Sequence, residues 1–182
     1  MQNFEYFNPV KVVLGEGNIN KTGALCKGIG KHALLLSYDR VDYMQGVISD
    51  IKQSLHDEGI TVTDCFCVTA NPTIKQAETG IQLAKENGCD FIIGLGGGSV
   101  MDCAKATGAR VVYPNKTLAQ MKGVMKVLKK IPLLIAVPTT AGTGSETTLA
   151  AVITDSETRH KYAINSFPLI PEYALLDAKL TV

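Results

Sequence analysis

The sequence predicts an α/β fold: a parallel β-sheet covered by helices on both faces, with an added β-hairpin in the last quarter of the chain. Three observations carry this. Short apolar runs occur without polar alternation, helix-length amphipathic stretches separate them, and two of the runs lead directly into glycine- or hydroxyl-rich segments. Strands buried on both faces read as continuous apolar runs, and alternation of such runs with helices indicates a parallel sheet.

Ala33 to Tyr38 (ALLLSY) is the first buried strand. Tyr43 to Glu58 then places Met44, Val47, Ile48, Ile51 and Leu55 at helical spacing, with Gly59 as the stop. Ile60 to Val68 alternates weakly, is rich in β-branched residues and reads as a strand. Asn71-Pro72-Thr73 forms a turn into a helix that carries Ile74, Ala77, Ile81 and Ala84 on one face and ends at Gly88. Phe91 to Leu95 (FIIGL) is a second apolar strand, a helix runs from Ser99 to about Val111, and Leu133 to Val137 (LLIAV) is a further strand. Leu149 to Asp155 and Arg159 to Ser166 flank a polar Ser156-Glu157-Thr158 turn and form the hairpin. With no repeat, linker or low-complexity tract, residues 1–182 are expected to form one domain. The right-handed crossover rule puts its βα loops along one edge.

Composition narrows the function. Hydrophobic residues make up 46% and charged residues 19% of 182, ordinary for a packed core and too apolar for a disordered chain. Eighteen Lys and Arg against seventeen Asp and Glu leave a net charge of +1, which gives no attraction to nucleic acid or an anionic membrane. The longest apolar stretch, Ile131 to Val137, falls far short of the roughly 20 residues a bilayer span needs. Residues 1–30 show no signal-peptide pattern, and the five cysteines contain no Cys-x-x-Cys pair, so free thiols in a reducing cytoplasm are expected.

The strongest local signal is Gly96-Gly97-Gly98-Ser99, between a buried strand and a helix, with Asp102 and Lys105 following. Glycines there let backbone N–H groups approach an anion, and the helix end adds a partial positive charge. A tight turn with Ser99 and Asp102 as a capping box would need fewer glycines, so phosphate binding is the preferred reading. The second cluster, Pro138 to Thr148 (PTTAGTGSETT), also follows a strand. Alone it reads equally as a polar loop capped by Thr143 and Glu146, but on the same sheet edge it forms a second wall of one cleft. Asp39 at a strand end suits ribose hydroxyls, although in isolation it reads as a solvated aspartate, as Lys161 reads as a surface lysine. The histidines His32, His56 and His160 have no metal-ligand spacing, and no nucleophile elbow is present.

These two strings, together with Val152-Ile153-Thr154-Asp155, Lys161 and the opening Phe7 to Gly17, resemble the iron-containing (group III) alcohol dehydrogenases along essentially the whole chain. The resemblance implies a Rossmann-like NAD-binding domain from an enzyme that interconverts alcohols with aldehydes or ketones by hydride transfer. It implies that Gly97, Gly98 and Ser99 hold the pyrophosphate and that Asp102 lies near the nicotinamide ribose. Thr139, Thr140 and Thr143 would line the adenosine side and phosphates. Thr148, Val152 and Lys161 would surround the nicotinamide half, Leu180 would add an apolar contact, and Asn71 matches a cofactor-side position. Asp39 matches the position that selects NAD over NADP. The family's Fe²⁺ or Zn²⁺ is held by an aspartate and three histidines of an all-helical C-terminal domain, which this chain is expected to lack. These 182 residues are therefore read as the N-terminal half of a longer dehydrogenase, inactive alone, with an alcohol or aldehyde substrate and a homodimer as the expected partners. The alternatives are a glycerol dehydrogenase- or dehydroquinate synthase-like member of the superfamily and a non-catalytic nucleotide-binding module.

Overall fold

The computed structural model describes residues 3, 5 and 7–181. Among these described residues nine strands and four α-helices follow in order: β1 Lys11–Leu14, α1 Thr22–Cys26, β2 His32–Tyr38, α2 Gln45–Asp57, β3 Thr61–Val68, α3 Ile74–Glu86, β4 Phe91–Gly96, α4 Gly98–Val112, β5 Gly123–Val124, β6 Leu134–Pro138, β7 Ala150–Thr154, β8 Lys161–Asn165 and β9 Tyr173–Leu176. Six strands form one wholly parallel sheet in the order β1-β9-β6-β4-β2-β3. The hairpin β7–β8 is antiparallel in register Val152 to Ala163, and β5 pairs in parallel with β8 to make a separate three-stranded sheet.

The unalternated apolar runs are explained by two cores, one on each face. Along β2, Leu34 and Leu36 enter the core under α3 and α4, whereas Ala33 and Leu35 enter the core under α1 and α2. Every residue of β4 and β6 is buried, so this centre of the sheet has no solvent face at all. Ile48, Ile51 and Leu55 bury the inner stripe of α2, and Ala77, Gly80, Ile81 and Ala84 that of α3. At the start of α3, Thr73 and Gln76 close a reciprocal capping box, and the left-handed Gly59 and Gly88 end the chain reversals after α2 and α3.

The predicted elements are present within two residues of their expected limits. Four others have no signal in the residues themselves: β1, which only the family resemblance of Phe7 to Gly17 anticipates, and α1, β5 and β9. β1 is a mostly exposed edge strand, and β9 has only four residues shortly after Pro171, so neither produces a run long enough to read as a strand. The hairpin therefore sits in a three-stranded sheet rather than standing as a pair. Capping also differs from the turn reading. Gly97 is the N-cap of α4 and makes no side-chain capping bond, which leaves Ser99 inside the first turn. Among the described residues no helix is long and apolar enough to cross a membrane, and all five cysteines are free thiols.

One contact sets how closely α1 can lie on α2. Gly23 donates its N–H to Ser54 Oγ at 2.9 Å, and a Cβ on Gly23 would lie 1.8 Å from the Ser54 carbonyl oxygen. By contrast, a Cβ on Gly46 in the first turn of α2 would meet nothing within 4 Å. Gly23→Ala should therefore destabilise the protein by about 1–3 kcal/mol, through forced separation of the helices. Gly46→Ala should stabilise it by roughly 0.4–1 kcal/mol, because it restricts the unfolded chain. Urea denaturation of the two variants measures both signs.

Candidate functional site

Because all six strands run the same way, the segments that leave them at their C-terminal ends share one edge. The chain leaves β2 outward to β3 on one side, then returns and leaves β4 toward β6 on the other. The crevice at this reversal, between β2 and β4, is where an open parallel sheet accommodates ligands.

The glycine turn after β4 forms the floor of that crevice. Gly97 donates its N–H to the Tyr38 hydroxyl at 3.0 Å, joining the ends of β4 and β2. A Cβ on Gly97 would lie 2.8 Å from both Tyr38 OH and Thr140 Oγ1, and one on Gly96, at φ +154, would lie 2.5 Å from Val100 Cγ2. Only glycine allows both approaches. α4 starts immediately afterwards, and the N–H groups of Gly98 and Ser99 in its first turn have no intrahelical acceptor. Its fifteen residues add the positive end of a helix dipole at the same place.

The segment after β6 closes over this turn. The Thr139 N–H donates to Gly96 O at 3.0 Å, and Ser145 Oγ and Thr143 Cγ2 would stand 3.3 and 3.5 Å from a Cβ on Gly98. Thr139, Thr140 and Thr143 are thereby brought against the glycine turn at 96–98. Thr140 also borders a cavity of about 250 Å³ that reaches Glu146, whose Oε2 is buried with no hydrogen-bond partner.

On the opposite side, three sequence-distant residues form a chain of hydrogen bonds. The Asn71 N–H donates to Ser99 Oγ at 3.3 Å, and Lys161 Nζ donates to Asn71 Oδ1 at 2.6 Å. Asn71 adopts the left-handed conformation, at φ +60, that asparagine tolerates better than most residues. The Thr154 N–H bonds to Pro72 O at 2.8 Å and docks the hairpin against the same turn. Lys161 thus lies at the exposed surface, as the sequence suggests, with its Nζ anchored to the Asn71 turn.

The hairpin is held from below by Lys105, to which no local sequence pattern assigns a role. Lys105 is 0% exposed, and its Nζ donates to the carbonyls of Ser145 at 2.7 Å, Thr148 at 2.7 Å and Ala150 at 2.9 Å, and to Thr148 Oγ1 at 3.1 Å. Burial pulls its pKa down to about 8, opposed by the charges of Asp102 and Glu146. One turn earlier on α4, burial pushes Asp102 up to about 6, against the Val152 backbone hydrogen bond and the Lys105 charge. Asp102, Thr148 and Val152 thus meet at the junction of α4 and β7.

Leu180 and Asp39 lie toward the outer rim. Asp177 caps the turn that carries Leu180 and also accepts the Ile19 N–H, which fixes this turn against the segment before α1. Leu180, Tyr38, Tyr43, Val47 and Thr139 line a cavity of about 450 Å³. Asp39 is exposed and borders a second open cavity, of about 370 Å³, shared with Tyr38, Tyr43 and Thr69. Tyr38 and Tyr43, missed in the sequence, therefore border both rim cavities. The only signal for Tyr38 was its place as the last residue of an apolar run.

Among the described residues no group of three or more His, Cys, Asp or Glu side chains is arranged to hold a metal ion. These described residues therefore offer no ligand set of their own for a catalytic metal.

Comparison with known proteins agrees with this fold. Residues 9–178 match the family model described as "Iron-containing alcohol dehydrogenase". The chain is 36% identical over 173 residues to the probable alcohol dehydrogenase EutG of Escherichia coli (strain K12), covering 95% of this chain and 44% of that protein. It is 33% identical over 177 residues to the probable NADH-dependent butanol dehydrogenase 1 of Bacillus subtilis (strain 168), covering 97% and 46%. A crystal structure of 1,3-propanediol oxidoreductase superposes with a TM-score of 0.91 at 30% identity, over 99% of this chain and 47% of that one. The alcohol dehydrogenase from Oenococcus oeni gives 0.88 at 31%, over 98% and 47%. This chain therefore spans less than half the length of the relatives it matches.

The Asp102 carboxyl supplies a pH signature for the junction. Its folded pKa, about 6, lies above the ordinary 3.8, so the stability it contributes is complete below pH 3.8 and is lost as pH rises through 6. Asp102→Asn keeps the shape of the protonated acid. Wild type should therefore lose stability relative to this variant between pH 3.8 and about 6, as followed by urea denaturation at stepped pH. A constant difference across that window would mean that the carboxyl is not desolvated.

Proposed function

This chain belongs to the iron-containing alcohol dehydrogenase family, and on that premise we propose that it is the cofactor-binding half of an NAD-linked, metal-dependent enzyme. The enzyme would interconvert alcohols with aldehydes or ketones. The observation that carries the cofactor reading is the glycine cradle, where Gly97 is wedged between Tyr38 and Thr140 directly before the uncapped start of α4.

In this reading the free N–H groups of Gly98 and Ser99 and the positive end of α4 bind the pyrophosphate. Thr139, Thr140 and Thr143 offer hydroxyls to the phosphates and the adenosine side. Leu180 and Tyr43 enclose the adenine in the 450 Å³ cavity. The exposed Asp39 carboxylate accepts from the ribose hydroxyls and repels a 2′-phosphate, giving NAD its preference. Asp102, Thr148, Val152 and the Asn71–Lys161 pair form the wall toward the nicotinamide. NAD held here would supply the hydride acceptor, and the residues that hold the Fe²⁺ or Zn²⁺ polarising the alcohol oxygen would come from the rest of the longer enzyme. We also infer a cytoplasmic location, supported by five free thiols, and a homodimer, supported by the edge strand β1 with Val12 49% and Leu14 74% exposed.

Calorimetric titration with NAD and NADP tests the reading, with tighter binding of NAD expected. Gly97→Ala should weaken NAD by about tenfold to a hundredfold, since a Cβ pushes Tyr38 or Thr140 out of place. Asp39→Gly should narrow the NAD over NADP ratio by about tenfold. An unchanged ratio removes the selectivity role of Asp39, and binding of neither nucleotide by the protein overturns the cofactor assignment. In the longer enzyme, stripping the metal with a chelator should abolish alcohol oxidation while nucleotide affinity, measured in parallel, stays the same.

A further inference from the structure

Four of the five cysteines gather on the α3–α4 face of the sheet: Cys65 and Cys103 within its core, Cys67 and Cys89 packed against it. Two of them are paired. Cys65 and Cys67 sit two residues apart on β3, the edge strand, with their sulfurs 3.6 Å apart. Ser37 opposes Phe66 and Tyr38 opposes Val68, so Cys67 has no partner on β2 and is the extra residue of a β-bulge. Cys65 is 1% exposed, whereas Cys67, one residue before the end of β3, is only half-buried, with its sulfur also 3.6 Å from the Gln76 carbonyl oxygen.

We propose that Cys67 and Cys65 are a peroxide-reactive thiol pair that closes reversibly to an intramolecular disulfide. The Cys67 thiolate attacks one oxygen of a hydroperoxide, breaking the O–O bond and forming a sulfenic acid with release of hydroxide. The Cys65 thiol then attacks that sulfur, forming the S–S bond and expelling water. Two thiols lose two electrons and two protons, and hydrogen peroxide becomes two waters.

The geometry supports each role. The hydrogen bond from Cys65 holds the Cys67 thiol below its usual pKa against burial and the nearby Asp39 charge, and the same bond together with burial pushes Cys65 up. Cys67 is therefore the attacking sulfur and Cys65 the resolving one. Alternate residues of a strand lie about 6.6 Å apart at Cα, inside the roughly 4.4–6.8 Å that a disulfide spans. An unpartnered bulge on an edge strand can adjust to the bond without breaking a central ladder. Cys26 and Cys103 are fully buried, and burial pushes Cys26 up to about 12, so neither competes.

The test exposes the purified protein to hydrogen peroxide, blocks free thiols with iodoacetamide and maps tryptic peptides. Both sulfurs fall in the single peptide Gln53 to Lys75. In the wild type this peptide should escape alkylation and weigh about 2 Da less than its unalkylated dithiol form, a difference that dithiothreitol restores. Cys67→Ser should abolish the loss, and Cys65→Ser should leave a sulfenic acid at Cys67 that dimedone traps. The proposal is overturned if both cysteines of that peptide remain alkylated while the other cysteines or methionines oxidise. Dimedone labelling at Cys89 in place of Cys67 would overturn it equally.

Discussion

A single buried cation sets the relation between the two halves of this fold. Lys105 has no access to water, and an ammonium group withdrawn from water must find replacement dipoles or become neutral. It finds three backbone carbonyls, from Ser145, Thr148 and Ala150, which belong to the loop after β6 and the first residue of β7. That loop would otherwise be a long polar excursion rich in glycine and threonine. Suspended from Nζ, it is held over α4, and α4 begins at the glycine turn. The two walls of the crevice are thus fixed to one helix.

The polarity of the sheet does the rest. The segments that leave the C-terminal ends of β2, β3, β4 and β6 converge there, tied to one another and to the β7–β8 hairpin by single hydrogen bonds. Gly97 bonds to Tyr38, Thr139 to Gly96, Asn71 to Ser99 and Lys161 to Asn71. None of these contacts is strong alone, since a neutral hydrogen bond contributes only about 0.5–1.5 kcal/mol net. Their effect is geometric: they position main-chain donors and hydroxyls around a space that a single loop could not enclose. The close approaches at Gly96 and Gly97 belong to the same scheme, because packing against Val100, Tyr38 and Thr140 leaves no room for a side chain.

The thiol pair on β3 lies behind this arrangement. The Asp39 N–H bonds to Val68 O, so the end of β2 that carries Asp39 is held by the residue next to Cys67. The bulge that makes room for Cys67 also re-aims the strand toward the Thr69 to Asn71 loop, a placement common for bulges beside functional sites.

Much of this was legible in the sequence. The strands β2, β3, β4 and β6, the helices α2, α3 and α4, and both loop motifs follow from hydrophobic periodicity and from glycine. These are local signals: a buried strand must be apolar, and a close turn must lack a Cβ. The short strands β1 and β9 were not legible, because their pairing depends on β6 being present and not on their own residues. Nor could the sequence say that Ser99 would accept from Asn71 instead of capping α4, or that Lys161 would face a turn 90 residues away. The roles of Lys105 and Tyr38 were likewise decided by tertiary structure, since a lysine among small residues and a tyrosine ending a strand acquire partners only when distant loops close on them. Residue types determined which elements form and where an anion could approach. Only the folded chain decided which side chains meet, because those contacts join segments that no local pattern connects.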